Sequence, residues 1–225
     1  MKKVVSFLMM MALVVIGFAQ TKQYTTAKES DPEAKKLLDK VQAKYKAYKS
    51  MQADFTLTIE IPEEPAEIQK GKFIQSGDKY RLEAETQTMV SDGETLWLYM
   101  KNSQEVQIND VEEDEDEMLS PSSFLKFYES EEFVYVLINE FPEKGVVVQQ
   151  IEFKPLDEDS EYHKVRLTIN KATNDVMRVK AFAKDGSRFT FELGKIIANP
   201  TLNATTFQFQ KSECPNCHYE DLRMP

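Results

Sequence analysis

The chain has 225 residues, with 28 Lys and Arg against 38 Asp and Glu, for a formal charge of −10. An acidic surface of this kind argues against nucleic acid and anionic lipid headgroups as partners, and it allows docking to basic faces of other proteins. With few Gly and Pro, no internal repeat and no linker-like stretch, the length suits one domain with a single sizeable core.

Lys2 and Lys3 precede an apolar run from Val4 to Phe18, and Gly17-Phe18-Ala19 places small residues at −3 and −1 from a cleavage point before Gln20. Residues 1–19 therefore read as a secretory signal peptide, leaving 20–225 as a single domain. The run is shorter than the roughly 18 apolar residues of a spanning helix. No cysteine lies near the cleavage point, so no lipid anchor is expected there. The mature chain is expected to be a soluble, exported protein, periplasmic in a two-membrane bacterium. ATP and reduced nicotinamide cofactors are scarce in that compartment, which disfavours functions that need them.

The first predicted element is a helix. Asp31 suits an N-cap, Pro32 the first helical position, and Glu33 the positive end of the helix dipole. Leu37, Leu38, Val41, Tyr45 and Tyr48, mostly three or four apart, make one apolar stripe, and the helix is expected to end near Ser50. The period then changes from 3.6 to 2. Phe55, Leu57, Ile59 and Ile61 alternate with polar residues, which is a strand with one dry face. Alternation returns at Tyr80-Arg81-Leu82, Val165 to Ile169, Phe189 to Leu193, and Phe207-Gln208-Phe209. Turn signals at Ser76-Gly77-Asp78, Ser91-Asp92-Gly93, Asn170 to Asp175, Asp185-Gly186-Ser187 and Asn199-Pro200 separate these runs and predict an antiparallel meander. Trp97 and Tyr99 share one face of their strand, and Leu96, Leu98 and Met100 the other, so this strand is expected to be covered on both sides, its residues serving as plain core or as cargo contacts.

Glu112 to Glu117 is a run of acidic residues that reads as a solvated loop, with docking of a basic partner as the alternative. A short helix follows from Ser120-Pro121, with Phe124, Leu125, Phe127 and Tyr128 on its apolar face, placed to act as plug or lid. A sheet of roughly ten strands with one apolar face must curl or split. The predicted fold is mainly β: an unclosed antiparallel β-barrel, a curled sheet with an N-terminal helix and a short lid helix over an apolar cavity.

Two features tempt towards chemistry. Cys214-Pro215-Asn216-Cys217-His218 is a C-x-x-C-H sequence, the attachment pattern for c-type haem, but it sits at the end of a β-rich chain. Zinc lacks a second ligand cluster, and a thioredoxin-like role needs the motif at a helix start after a strand. A local disulfide between Cys214 and Cys217 bracing the tail is the favoured reading, with modest stabilisation because the loop is short. His163 reads as a surface histidine at a strand start. No catalytic residue, metal site or cofactor is expected.

Several segments, in order and spacing, resemble the LolA family of periplasmic outer-membrane lipoprotein carriers. They are Gly71-Lys72-Phe73, Gly77 to Leu82, and above all Met89-Val90-Ser91-Asp92-Gly93-Glu94-Thr95-Leu96-Trp97-Leu98-Tyr99. The Ala53-Asp54-Phe55 strand start, Glu105 to Asn109, Ser120 to Tyr128, Phe207-Gln208-Phe209 and Asp221-Leu222-Arg223 also fit. The resemblance implies an unclosed barrel whose cavity takes the acyl chains of triacylated lipoproteins. It implies cargo received from an inner-membrane ABC transporter and passed to an outer-membrane receptor or the outer membrane itself, without covalent chemistry. By position it implies that Tyr80, Leu82 and Met89 face the cavity and that Phe124, Leu125 and Phe127 belong to the lid. Phe55, Leu57 and Ile59 are wall residues by alternation alone. A monomer is expected. Many members carry a basic latch residue before the turn at Gly77, where this chain has Gln75-Ser76. The alternatives are a related lipid-binding or lipoprotein-sensing module, and a haem or redox protein acting through Cys214 and Cys217.

Overall fold

A computed structural model of the chain describes residues 26–111 and 132–223. The expected leader, the acidic run at 112–117 and the expected lid helix with Phe124, Leu125 and Phe127 lie outside those residues.

The described chain opens with a 3-10 turn, Ala27–Glu29, and a helix, α1, Pro32–Lys46. Asp31 is the N-cap, its Oδ1 accepting from the Glu33 N–H at 2.9 Å, and Pro32 takes the first turn, where a missing N–H costs nothing. The helix buries Ala34, Leu37, Leu38, Val41 and Tyr45, a single stripe at helical spacing. It stops at Lys46, a turn earlier than the apolar period predicts. The cause lies far along the chain. Asn199 Oδ1 accepts from the N–H groups of Lys49 (2.7 Å) and Ser50 (3.3 Å), and the Asn199 N–H donates to Ser50 O at 2.7 Å. These bonds draw residues 49–50 out of the helix and into the first strand.

Among the described residues thirteen strands form one sheet. In chain order they are β1 Met51–Glu60, β2 Glu67–Ser76, β3 Lys79–Ala84, β4 Gln87–Ser91, β5 Thr95–Met100 and β6 Glu105–Asp110, then β7 Phe133–Glu143 and β8 Val146–Pro155. There follow β9 Tyr162–Asn170, β10 Val176–Ala183, β11 Arg188–Leu193, the two-residue β12 Ile197–Ala198, and β13 His218–Asp221. The spatial order is β13-β6-β5-β4-β3-β2-β1-β11-β10-β9-β8-β7, with β12 pairing the start of β1. Two antiparallel meanders, β1–β6 and β7–β11, are thus joined by the β1–β11 pairing. The terminal strands of this path, β13 and β7, do not pair, so the barrel is unclosed.

The hairpins follow from turn chemistry. At Ser91-Asp92-Gly93, Asp92 Oδ1 accepts from the Glu94 and Thr95 N–H groups (3.0 and 2.8 Å), and Gly93 takes φ +94°, a conformation that favours glycine. This part of the family resemblance is therefore a β4–β5 turn signature.

One face of the sheet is apolar across nearly its whole width. A single cluster contains α1, Phe55 of β1, Phe73 of β2, Leu82 of β3, Met89 of β4, Leu96 of β5, and Tyr135, Phe153 and Leu167 of β7–β9. Strands so distant in sheet order share one cluster only if the sheet curls, with this face concave. The opposite face of β8–β11 is polar: Glu152 accepts from Arg166 (2.7 Å) with Lys164 at 3.3 Å, and Arg178 bonds Glu143 at 2.7 Å.

Two expectations are corrected. Phe207-Gln208-Phe209 is not a strand: Thr206 N–H bonds Asn203 O and Gln208 N–H bonds Thr205 O, so the segment turns, and Phe209 is buried against Tyr99. The meander also has a parallel addition, since β13 runs parallel to β6.

Candidate functional site

The apolar concave face divides into two parts according to where α1 is held. Asp31 caps the helix with Oδ1 and accepts the Leu137 N–H of β7 with Oδ2 at 3.1 Å. The Asp31 N–H donates to Tyr135 O (2.9 Å), and Ser30 Oγ accepts from the Tyr135 N–H (3.2 Å). The start of the helix thereby occupies backbone groups on the outer edge of β7, groups that would otherwise invite pairing with another chain. At the other end Lys44 Nζ pairs with Asp175 and donates to Thr173 O (2.7 Å), both in the β9–β10 turn. Tyr45 Oη accepts from the buried Val176 N–H at 3.1 Å, and burial pushes the Tyr45 hydroxyl pKa well above its usual value. Both ends of α1 are therefore tied to β7–β10, and the helix covers that part of the face.

The other part belongs to β1–β5 and β11. Its strand register places Ala53, Phe73, Leu82, Met89 and Leu98 in one row across five strands. The next positions along β1 are paired Phe55–Leu193, Leu57–Phe191 and Ile59–Phe189. Phe73, Phe55, Leu82 and Met89 are 1%, 4%, 4% and 6% exposed, while Leu57, Tyr80, Leu98, Phe189 and Phe191 are half-buried against the same cluster. The Phe55 ring stacks on Phe191 with centroids 4.9 Å apart and planes at 22°. It also lies over Gly71, opposite it on β2: a Cβ added at Gly71 would sit 2.6 Å from Phe55 Cζ and 2.0 Å from Glu83 O. Here a glycine is required by the close approach of an aromatic ring, a pairing that keeps a strand glycine packed.

Of the residues expected from sequence, Phe55, Leu57, Leu82 and Met89 come together on this face. Tyr80 is on it too, at the Gly77 end, paired with Gln75 and Ser91. Ile59 lies at the far rim beside Glu67 and Phe189. Phe73, Leu98, Phe189 and Phe191 were not anticipated as wall residues. Alternation marked the last two as a strand, but only the β1–β11 register puts their rings beside Leu57 and Phe55. At the expected latch position, Ser76 Oγ donates to Lys49 O (3.0 Å) and Gln75 Nε2 to Gly77 O (3.1 Å), so both side chains bond backbone at that end.

The outer face of β4–β6 is covered as well. Val90, Val106, Phe209 and Cys214 form a second buried cluster, with Trp97, Tyr99, Ile108, Cys217 and Tyr219 packed against it. Cys214 and Cys217 are joined by a disulfide. A separate depression of about 210 Å³ is lined by Thr56, Glu143, Lys144, Arg178 and Glu192. Met177, Leu193 and Gly194 complete its lining, so charged and apolar groups are mixed there, and Thr56, Arg178 and Glu192 place it on the outer face of the sheet. Among the described residues no group of three or more His, Cys, Asp or Glu is placed to hold a metal ion, and no helix is long and apolar enough to cross a membrane.

Comparison with solved structures shows the fold elsewhere. An uncharacterized conserved protein from Thermus thermophilus superposes with a TM-score of 0.56 at 12% identity, over 85% of this chain and 99% of that one. A DUF1329 family protein from Desulfovibrio piger gives a TM-score of 0.46 at 12% identity, over 82% and 100% of the two chains. A LolA superfamily protein from Nitrosomonas europaea gives 0.41 at 11% identity, over 78% and 97%. No curated protein sequence matches this chain. The sequence model of the family described as outer membrane lipoprotein carrier protein LolA matches residues 46–210, from the end of α1 to beyond Phe209, and the chain therefore belongs to the LolA family.

Proposed function

We propose that the protein is a periplasmic carrier that holds the acyl chains of lipoproteins against the concave face of β1–β5 and β11. It would take them from an inner-membrane ABC transporter and deliver them to the outer membrane or a receptor there. The observation that carries this reading is the half-buried apolar surface of Leu57, Tyr80, Leu98, Phe189 and Phe191, backed by the buried Phe55, Phe73, Leu82 and Met89, on the part of the face to which α1 is not tied. Membership of a family described as lipoprotein carriers supports it.

The physical case for such a carrier is simple. Each methylene exposed to water costs about 0.8 kcal/mol, so three long acyl chains cannot cross an aqueous compartment unshielded. Donor and acceptor membranes are equally apolar, so transfer rests on small differences, and the wall must bind loosely as well as well. Met89, flexible and polarizable, and the half-buried Leu57 and Leu98 suit an adaptable surface. No step of the cycle makes or breaks a covalent bond, so the protein is not an enzyme on this reading. Residues 1–19 serve as the export leader, and 20–225 act as one carrier domain.

The test is native mass spectrometry of the protein lacking residues 1–19, after incubation with a triacylated lipoprotein extracted from membranes. A soluble one-to-one complex that loses its cargo to outer-membrane vesicles is expected. A complex that forms but never releases would favour a sensing module over a carrier. No complex at all would refute the proposal.

A further inference from the structure

We propose that the Cys214–Cys217 disulfide is a site of thiol–disulfide exchange and acts as a releasable clasp on the C-terminal strand. The tail after Asn199 crosses the outer face of β3–β6 and ends in β13, paired in parallel with β6 from Glu105 to Ile108. The disulfide lies between the 3-10 turn Lys211–Glu213 and β13. Around it the tail is held by the β13–β6 ladder, by the His218 N–H to Gln104 O (2.9 Å) and the Leu222 N–H to Ile108 O (2.8 Å), and by side-chain contacts. Glu213 pairs with Arg81 of β3, Phe209 packs edge-on to Tyr99 (5.5 Å), and the Tyr219 hydroxyl donates to Cys214 O at 3.0 Å.

Its two sulfurs are unequally placed. Cys214 is 6% exposed in the second apolar cluster, whereas Cys217 is half-buried behind the exposed Pro215 and Asn216. Cys217 is therefore the half of the bond nearer solvent, and we assign the attack of an incoming thiolate to its Sγ. Attack there by a dithiol reductant expels the Cys214 thiolate, and the second thiol of the reductant then displaces Cys217. Two electrons and two protons pass from the dithiol to this chain, which gains two thiols while the reductant gains a disulfide.

Two features make the effect local. The cross-link closes a loop of sequence separation 3, so losing it frees few conformations; the chain-entropy relation gives a factor of about 20. The cluster it joins is separate from the main core, so its loss leaves α1 and the concave face packed. While β13 is open, β6 is the edge of the sheet and Trp97, Tyr99 and Ile108 lose the cover of the tail, and reduction makes that opening about 20-fold more frequent. In the oxidised form β6 is an interior strand.

The test uses the protein without residues 1–19 and dithiothreitol as the dithiol, read by hydrogen exchange. Reduction is expected to speed exchange of the β13 amides and of the β6 amides that face them by about 20-fold. The β9–β10 amides should keep their protection. The double variant Cys214→Ser/Cys217→Ser should behave like the reduced protein without reductant. A disulfide that dithiothreitol cannot reduce in the folded protein would overturn the proposal. So would a reduced form with unchanged β6 and β13 exchange, or one that loosens β9–β10 equally, since the disulfide would then be inert or a global brace.

Discussion

Gly71→Ala separates two effects of opposite sign. Gly71 is not among the residues with positive φ, so its backbone accepts alanine. At such a position the loss of unfolded-state freedom alone would stabilise the chain by about 0.4–1 kcal/mol. The folded state opposes this. The new methyl carbon would lie 2.0 Å from Glu83 O and 2.6 Å from the Phe55 ring, and the first of these is backbone of the neighbouring strand. β2 and β3 must part locally, a shift of the kind that costs about 1–3 kcal/mol. If Phe55 also leaves its stack on Phe191, about 0.5–1.5 kcal/mol more is lost. The net is destabilisation of about 1–3 kcal/mol, which at a urea m-value of about 2–3 kcal/mol/M lowers the midpoint by roughly 0.3–1.5 M. Urea unfolding followed by Trp97 emission measures it. Combining Gly71→Ala with Phe55→Leu should cost less than the sum of the two single changes, because the ring contact is relieved while the Glu83 O contact stays. A variant equal to or more stable than the parent would refute the close-approach argument.

Tyr45→Phe removes the acceptor of the buried Val176 N–H and should cost about 1–3 kcal/mol in the same assay. Asp31→Ala should cost about 1–2 kcal/mol through the lost cap alone, and hydrogen exchange should show the Leu137 amide opening with it. For Glu152, partial burial opposes ionisation, but the Arg166 hydrogen bond and the Lys164 charge outweigh it and hold the pKa below the usual glutamate value. Its contribution is therefore present above the unfolded value of about 4.3 and is lost as pH falls through the folded value. Glu152→Gln should accordingly flatten the acid limb of the stability–pH curve, and an unchanged limb would remove that role. Leu57→Glu, at a half-buried position, should keep the fold and abolish cargo uptake in the native mass spectrometry test; Leu82→Glu, at a nearly sealed one, should lose the fold as well, which circular dichroism distinguishes.

What the sequence displays and what it hides divide along the range of the interactions. Asp31 capping a helix that begins at Pro32, and the hairpins at Gly77, Gly93 and Gly186, are decided by residues within four positions of one another, and all are legible. The end of α1 is not, because Asn199 sets it from the far side of the chain. The β7–β8 hairpin escapes a period-two reading because Phe133 to Ile138 is almost continuously apolar and a bulge between Leu137 and Asn139 shifts the register. Phe207-Gln208-Phe209 has the right alternation over too short a span, and turn bonds override it. For the candidate site, Phe55, Leu57, Leu82 and Met89 could be placed on a dry face from alternation and family position. Phe73 and Phe191 could not be matched to them, because that needs the β2 and β11 registers, and β11 comes from the opposite end of the chain.

The ties at the two ends of α1 bear on how a cavity of this kind would open. A helix that acted as a moving plug would have to release the Asp31 bonds to β7, the Lys44–Asp175 pair and the Tyr45–Val176 bond together. The last of these leaves a buried N–H without a partner, and such a loss alone costs about 1–3 kcal/mol. Uncovering Leu37, Leu38 and Val41 would add about 1.5–3 kcal/mol for each side chain. Small differences in affinity between two apolar membranes do not supply that cost at delivery, where no transporter acts. On the carrier reading α1 is therefore a fixed part of the wall, and adaptation to cargo falls to the side chains of β1–β5 and β11. Mutations that loosen α1 should then lower stability without changing cargo release, whereas changes at the half-buried Leu57 or Leu98 should change release with little effect on stability.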